Sequence, residues 1–242
     1  MGERFIDRVY EDPAMNRMLC FVREILQPVD KLSKTGRAYP FRSRFEHTTR
    51  VIEWALRINE QEKADAEIIT VAGIFHDVGY IFGGEGHAKN SEKVFIDYVK
   101  EHGLFGWEQQ GRQEQQGQQG SHNQQGQQGS QEQPYQKIAA VISTHSDKKV
   151  RDKQFSKEQI ILMDADLLDE AGAMSVLWSC FTVAGQEAFN FRNTLAEIQK
   201  GYQRLQEDAE LFRTDSGRSF HNQMQAYVGE FIQNLKYELN LR

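Results

Sequence analysis

The chain is poor in cysteine and proline, with 2 and 4 residues respectively among 242. Cys20 and Cys180 are too few and too far apart for a disulfide framework or a thiolate zinc site. They are expected to be buried free thiols in a reducing compartment. So few prolines leave room for long unbroken helices, whereas Val, Ile and Thr nowhere gather at alternating positions, which leaves sheet little support. No apolar run reaches the ~18 residues of a membrane span. The first residues, MGERFIDRVYEDP, carry charge where a secretory leader needs an apolar stretch. Gly2 does not complete a myristoylation motif, because residue 6 is Ile. A soluble, cytoplasmic protein is expected. Positive charge is also short: the formal net charge is −6, which argues against a nucleic-acid polymer or a membrane as partner. The chain has no GxSxG elbow, P-loop or CxxC motif, and Gly83-Gly84-Glu85-Gly86 is too short for a dinucleotide fingerprint.

Apolar residues at helical spacing fill most of the rest. Phe5, Ile6, Val9 and Tyr10 form a short stripe, Pro13 allows a fresh start, and a second stripe from Met15 runs to Pro28. Residues 28–42 read as loop, ending in the basic-aromatic run Arg37 to Arg42. Ser43-Arg44-Phe45-Glu46 is a capping box, so the next helix starts near Arg44, with His47 in its first turn and Val51, Trp54 and Ile58 on the same face. Ala64 to Val78 reads as a helix apolar on nearly all sides, and therefore buried in a bundle. Its end is Gly73-Ile74-Phe75-His76-Asp77-Val78-Gly79, where an ionisable pair is costly to bury unless paired or metal-bound. The flanking glycines permit close helix approach and a C-terminal cap.

His87 follows in a Gly-rich turn before an amphipathic helix with Val94, Phe95, Tyr98 and Val99. Residues 108–133 contain only Gln, Gly, Glu, Ser, Arg, His and Asn, which cannot offset their ordering entropy. This low-complexity stretch reads as a disordered surface insertion, its ends on the order of 28 Å apart as a free coil. From Tyr135 the pattern resumes with Ile138, Val141, Ile142 and His145 on one face. Ser156-Lys157-Glu158-Gln159 opens a helix that runs into Asp164-Ala165-Asp166, with Asp169 on an adjacent face. Further helices complete the chain, and nothing in them demands chemistry. The whole reads as one domain over 1–242, with a metal-binding core at about 39–180 and C-terminal helices at 181–242.

His47, His76, Asp77 and Asp166 make a mixed nitrogen and oxygen donor set. Such a set suits Mn, Fe, Co, Ni or Zn better than Ca. Four protein ligands leave two positions on an octahedral ion, where water is acidified and a phosphoryl oxygen polarised. His87 and His145 could hold a second ion bridged by Asp77, contact a substrate phosphate, or donate a proton to the leaving oxygen. Asp77, His87 and His145 are therefore the candidate catalytic residues. Cations gather beside these positions: Arg42, Arg44 and Arg50, then Lys89 and Lys93, then Lys148, Lys149 and Arg151. Among them Arg44, Arg50, Lys89 and Lys148 are the candidate substrate-binding residues, forming a phosphate-facing rim in an acidic protein.

The ordered set His47, His76-Asp77 and Asp166 resembles the HD-domain metal-dependent phosphohydrolase superfamily, and more narrowly the small bacterial HD proteins that act on nucleotides. His145-Ser146, the stretch from Glu158 to Asp169, and Thr214-Asp215-Ser216-Gly217-Arg218 match the motifs of that branch. The resemblance implies an all-α HD-domain helical bundle. It implies a divalent metal at His47, His76, Asp77 and Asp166, manganese first among the candidates with one ion or two. It implies hydrolysis of a phosphate ester or anhydride of a small molecule, a nucleotide above all. Two positions depart from the branch: cations found there stand as Leu167 and Trp178 here. An HD-type di-iron oxygenase and a non-catalytic metal- and nucleotide-binding module are the alternatives.

Overall fold

Helix follows the apolar spacing through nearly all of the computed structural model, which describes residues 4–30, 43–105, 133–184 and 190–241. Ten α-helices and no strand occur among the described residues: α1 (Phe5–Glu11), α2 (Pro13–Asp30), α3 (Arg44–Glu62), α4 (Ala66–Phe75), α5 (His87–His102), α6 (Pro134–Thr144), α7 (Lys157–Asp169), α8 (Ala173–Ala184), α9 (Phe191–Glu207) and α10 (Asp215–Glu238). Two 3₁₀ turns, Val78–Phe82 and Asp208–Leu211, follow α4 and α9. The starts of α3 and α7 fall where the capping residues put them. Ser43 accepts the Glu46 N–H at 3.2 Å, and Ser156 and Gln159 cap each other's backbone reciprocally.

Helix α4 is the axis of the main core, packed by α3, α6 and α7. Its residues from Ile69 to Phe75 are all buried, as expected of a helix apolar on every side. Ile52, Ile74, Phe75 and Phe95 are fully buried around it, each contributing about 1.5–3 kcal/mol of burial free energy. A smaller cluster of Val176, Leu195, Ile198, Val228 and Ile232 joins α8, α9 and α10. No single helix among the described residues is long and apolar enough to cross a membrane.

The structure corrects several expectations. Helix α2 runs two residues past Pro28; a proline in the last turn removes at most one helical bond. Helix α4 stops at Phe75, not Val78. His76 is its C-cap, and Asp77 takes φ −111° and ψ 2° before the 3₁₀ turn redirects the chain. Gly79 is not a cap. A Cβ there would stand 2.2 Å from the His87 carbonyl oxygen and 2.5 Å from the Ser91 nitrogen, so this glycine is required by the contact of the 3₁₀ turn with α5. Cys20 is exposed and Cys180 half-buried, both as free thiols. The low-complexity insertion lies outside the described residues except for Gln133, which caps α6, and the basic-aromatic run to Arg42 lies outside them as well. The backbone on either side of that insertion meets: the Tyr135 N–H donates to the Phe105 carbonyl at 3.3 Å.

Candidate metal centre

Six predicted residues come together where the ends of four helices meet. His47 sits in the first turn of α3, His76 and Asp77 at the break after α4, His87 at the first position of α5, His145 at the C-cap of α6 and Asp166 within α7. They form two trios: His47, His76 and Asp166, and Asp77, His87 and His145; within each, the donor atoms all lie within 4.8 Å of one another. Asp77 joins the two. Its Oδ2 lies 3.3 Å from His47 Nε2 and 3.7 Å from His76 Nε2, and its Oδ1 lies 3.5 Å from both His87 Nε2 and His145 Nε2. Asp166 Oδ1 is 3.3 Å from His47 Nε2.

The hydrogen bonds on the far side of each ring fix which nitrogen faces inward. His76 Nδ1–H donates to the Gly73 carbonyl at 2.8 Å, His87 Nδ1–H to Gly84 at 3.0 Å, and His145 Nδ1–H to Ile142 at 2.7 Å. His47 Nδ1 meets the Asp169 carboxylate at 2.7 Å. Each ring therefore spends its Nδ1 hydrogen outward and presents Nε2 to the centre, the arrangement that orients metal-ligating imidazoles. His47 and His76 bring these Nε2 atoms to 3.2 Å, and His87 and His145 bring theirs to 3.1 Å. Two facing lone pairs at that distance repel unless a proton or a metal cation lies with them. The donor chemistry thus fits one divalent ion per trio.

Charge follows the same logic. Burial drives the His76 imidazole down to about 4, so it is neutral at neutral pH. Burial also lowers His87, with Asp77 opposing and His145 reinforcing. Burial alone would lower His47, but hydrogen bonds to Asp166, Asp169 and Asp77 outweigh it and raise the ring well above its ordinary value. Burial alone would raise Asp77 and Asp166. The surrounding His76, His145 and His47 hold Asp77 far below the usual carboxylate range, and Lys148 and His47 do the same for Asp166.

The centre forms the floor of a cavity of about 420 Å³, within the range of small-molecule sites. Of the four predicted substrate cations, Arg44 and Lys148 line it. Arg44 reaches Asp77 Oδ2 at 2.9 Å and lies 3.7 Å over the Tyr80 ring; Lys148 pairs with Asp166. Arg50 stands behind the wall, gripping Asp169 at 2.5 and 3.0 Å. Lys89 is exposed and pairs with Glu92 at 3.1 Å. Arg151 donates to the Glu210 carbonyl at 2.6 Å.

The acidic run of α7 divides by face. Asp166 points into the centre and Asp169 braces it. Asp164 faces the chain's tail, where it accepts the Thr214 N–H at 2.8 Å and the Thr214 hydroxyl at 2.7 Å. The Thr214 to Arg218 motif thus serves to anchor α10: a Cβ on Gly217 would lie 2.7 Å from Asp164 Oδ2. The tail also supplies wall residues that the sequence did not point to, since Arg204, Leu205 and Asp208 line the cavity beside Leu167. No local pattern marks them. Asp169 was findable, three residues after Asp166 and hence on a neighbouring face of the helix.

The HD domain family model matches residues 44–171, a span holding all six residues of the two trios. No curated protein matches the chain. Among solved structures, a predicted HD superfamily hydrolase from an uncultured Thermotogales bacterium is 20% identical with a TM-score of 0.60, and 99% of each chain is covered. An HD-superfamily hydrolase from Bacillus thuringiensis is 18% identical with a TM-score of 0.58 over 98% of each chain. Bacillus subtilis YpgQ in complex with ADP is 17% identical with a TM-score of 0.54, over 92% of this chain and 93% of that one. At these identities the likeness is one of fold.

Proposed function

The chain belongs to the HD domain family, and from that premise we propose that it is a metal-dependent phosphohydrolase acting on a nucleotide. The observation that carries this reading is the convergence of four His Nε2 atoms on the two oxygens of one carboxylate, Asp77. His47, His76 and Asp166 with Asp77 Oδ2 would hold one divalent ion, manganese in this reading. His87 and His145 with Asp77 Oδ1 would hold a second. When bound, such ions acidify water and polarise a phosphoryl oxygen.

The protein's own groups do the remaining work. Asp169 keeps the His47 hydrogen on Nδ1 and so leaves Nε2 as a ligand. Arg44 and Lys148 offset the charges of Asp77 and Asp166, so an approaching phosphate meets a less negative floor. His76, Asp77 and His145 are buried, which excludes water behind the donor set. The cavity volume and the ADP carried by Bacillus subtilis YpgQ support a nucleotide as substrate.

The test is product analysis on protein stripped of metal and reloaded with Mn²⁺, against nucleoside mono- and triphosphates. A metal-dependent product is expected that Asp77→Ala abolishes while the helical circular-dichroism signal persists; full activity in that variant overturns the assignment. A second reading, a di-iron oxygenase, draws on the Asp77-bridged pair of trios. Iron in the protein as purified, with oxygen uptake and no phosphate product, would favour it.

A further inference from the structure

We propose that the substrate site continues past the metal centre into a second chamber, where Arg204 binds the phosphate chain of a nucleotide and Trp178 stacks on its base. This rests on the phosphohydrolase reading above and assigns the part of the substrate that is not cleaved. A cavity of about 480 Å³ lies between α8 and α9, and its wall shares Glu170, Arg204 and Leu205 with the cavity over the metal centre. The two spaces are therefore adjoining compartments of one cleft.

The cations near the metal centre are already committed. Arg44 is paired with Asp77, Lys148 with Asp166 and Arg50 with Asp169. The guanidinium of Arg204, at the shared wall, has no ion pair or hydrogen bond among the described residues. Lys200, one turn earlier on α9, lines the same second chamber. Arg204 is thus the cation that the shared wall leaves for an anionic chain, in the planar geometry that grips phosphate oxygens, with Glu170, Glu197 and Glu207 on the wall of the same chamber. Beyond it, Trp178 gives the second chamber an aromatic wall. Ser175, Ser179 and Thr182 spend their hydroxyl hydrogens on the carbonyls of Gly172, Ser175 and Trp178. Their free lone pairs then offer acceptors to the N–H edge of a base, while the ring face takes the stacking.

The test is equilibrium binding to the Mn²⁺-loaded full chain of two probes that cannot be hydrolysed: α,β-methylene-ADP, and methylenebisphosphonate as its phosphate part alone. Arg204→Gln is expected to weaken both about tenfold or more, with Arg204→Lys recovering part of the loss. Trp178→Ala is expected to weaken the nucleotide probe about tenfold and leave the bisphosphonate unchanged, while Trp178→Phe retains affinity for both. Unchanged binding of both probes to Arg204→Gln, or of the nucleotide probe to Trp178→Ala, overturns the proposal. Wild-type protein that binds neither probe overturns it as well. Because no arm depends on turnover, a protein that binds as described and hydrolyses nothing would refute the hydrolase reading alone.

Discussion

Asp169 lies in neither trio, yet it decides which nitrogen of His47 carries a hydrogen. Asp169→Ala is expected to lower metal affinity about 10- to 100-fold, read by competition with a chromophoric chelator. Asp169→Asn, whose amide oxygen can still accept from Nδ1–H, should recover most of it; equal loss in both would mean that charge, not orientation, is what matters. The raised His47 pKa also makes metal binding a proton exchange. In the metal-free protein the His47 contribution to stability is complete below its ordinary 6.5 and is lost as pH rises through the higher folded value. Asp77 and Asp166 behave oppositely: their contribution is complete above the ordinary 3.8 and is lost as pH falls through the lower folded values. Metal-free protein should therefore melt highest between these limits, and Mn²⁺ affinity should rise from pH 6 to 8 with measurable proton release. A pH-independent Mn²⁺ affinity across that interval would contradict the assignment of a proton to His47. At this scale the sequence was informative where one helix carried the answer. Asp164 and Asp166 stand about 200° apart on a helix, while Asp166 and Asp169 stand about 60° apart, so their division between tail and centre is written in the spacing. Arg204 is not: it reaches the cavity only through the packing of α9, which no local period encodes.

Elements were legible in their existence and less so in their ends. The apolar pattern of α4 continues through Val78, Tyr80, Ile81 and Phe82, so periodicity alone carries the helix past the point where it breaks. The break is what turns His76 and Asp77 towards the other residues of the two trios, and the contact of the 3₁₀ turn with α5 is what delivers His87. Gly79 permits that contact because its would-be Cβ meets two backbone atoms, which cannot move aside as a side chain can. Gly79→Ala is expected to cost about 1–3 kcal/mol in denaturant unfolding and to reduce the metal bound per chain through loss of the Asp77, His87 and His145 trio. Gly84→Ala is the matched control, because a Cβ there meets only the Tyr80 ring at 3.5 Å. If both variants bind metal as the wild type does, the close approach at Gly79 is not what positions His87.

For the molecule as a whole, the instructive feature is how α5 and α6 are joined. The chain between them contains the Gln/Gly-rich stretch, yet the two helices pack on each other and share the Tyr135–Phe105 backbone hydrogen bond. The packing of α5 on α6 and that hydrogen bond hold the two sides of the stretch together, closer than the ~28 Å expected of the ends of a free coil of that length. His87 enters the centre from one of these helices and His145 from the other, and the hydrogen bonds that orient their rings, to Gly84 and Ile142, are made outside the stretch. Replacing residues 108–132 with a short Gly/Ser linker should then leave the metal centre whole. Loop closure scales with the logarithm of length, so the shortened chain should gain on the order of 1 kcal/mol in stability. Calorimetric melting with and without Mn²⁺ reads both effects at once: an unchanged or higher melting temperature, and the same metal-induced rise, are expected. A lower melting temperature, or loss of that rise, would mean that the stretch contributes contacts to the core and that the α5–α6 pairing does not stand on its own.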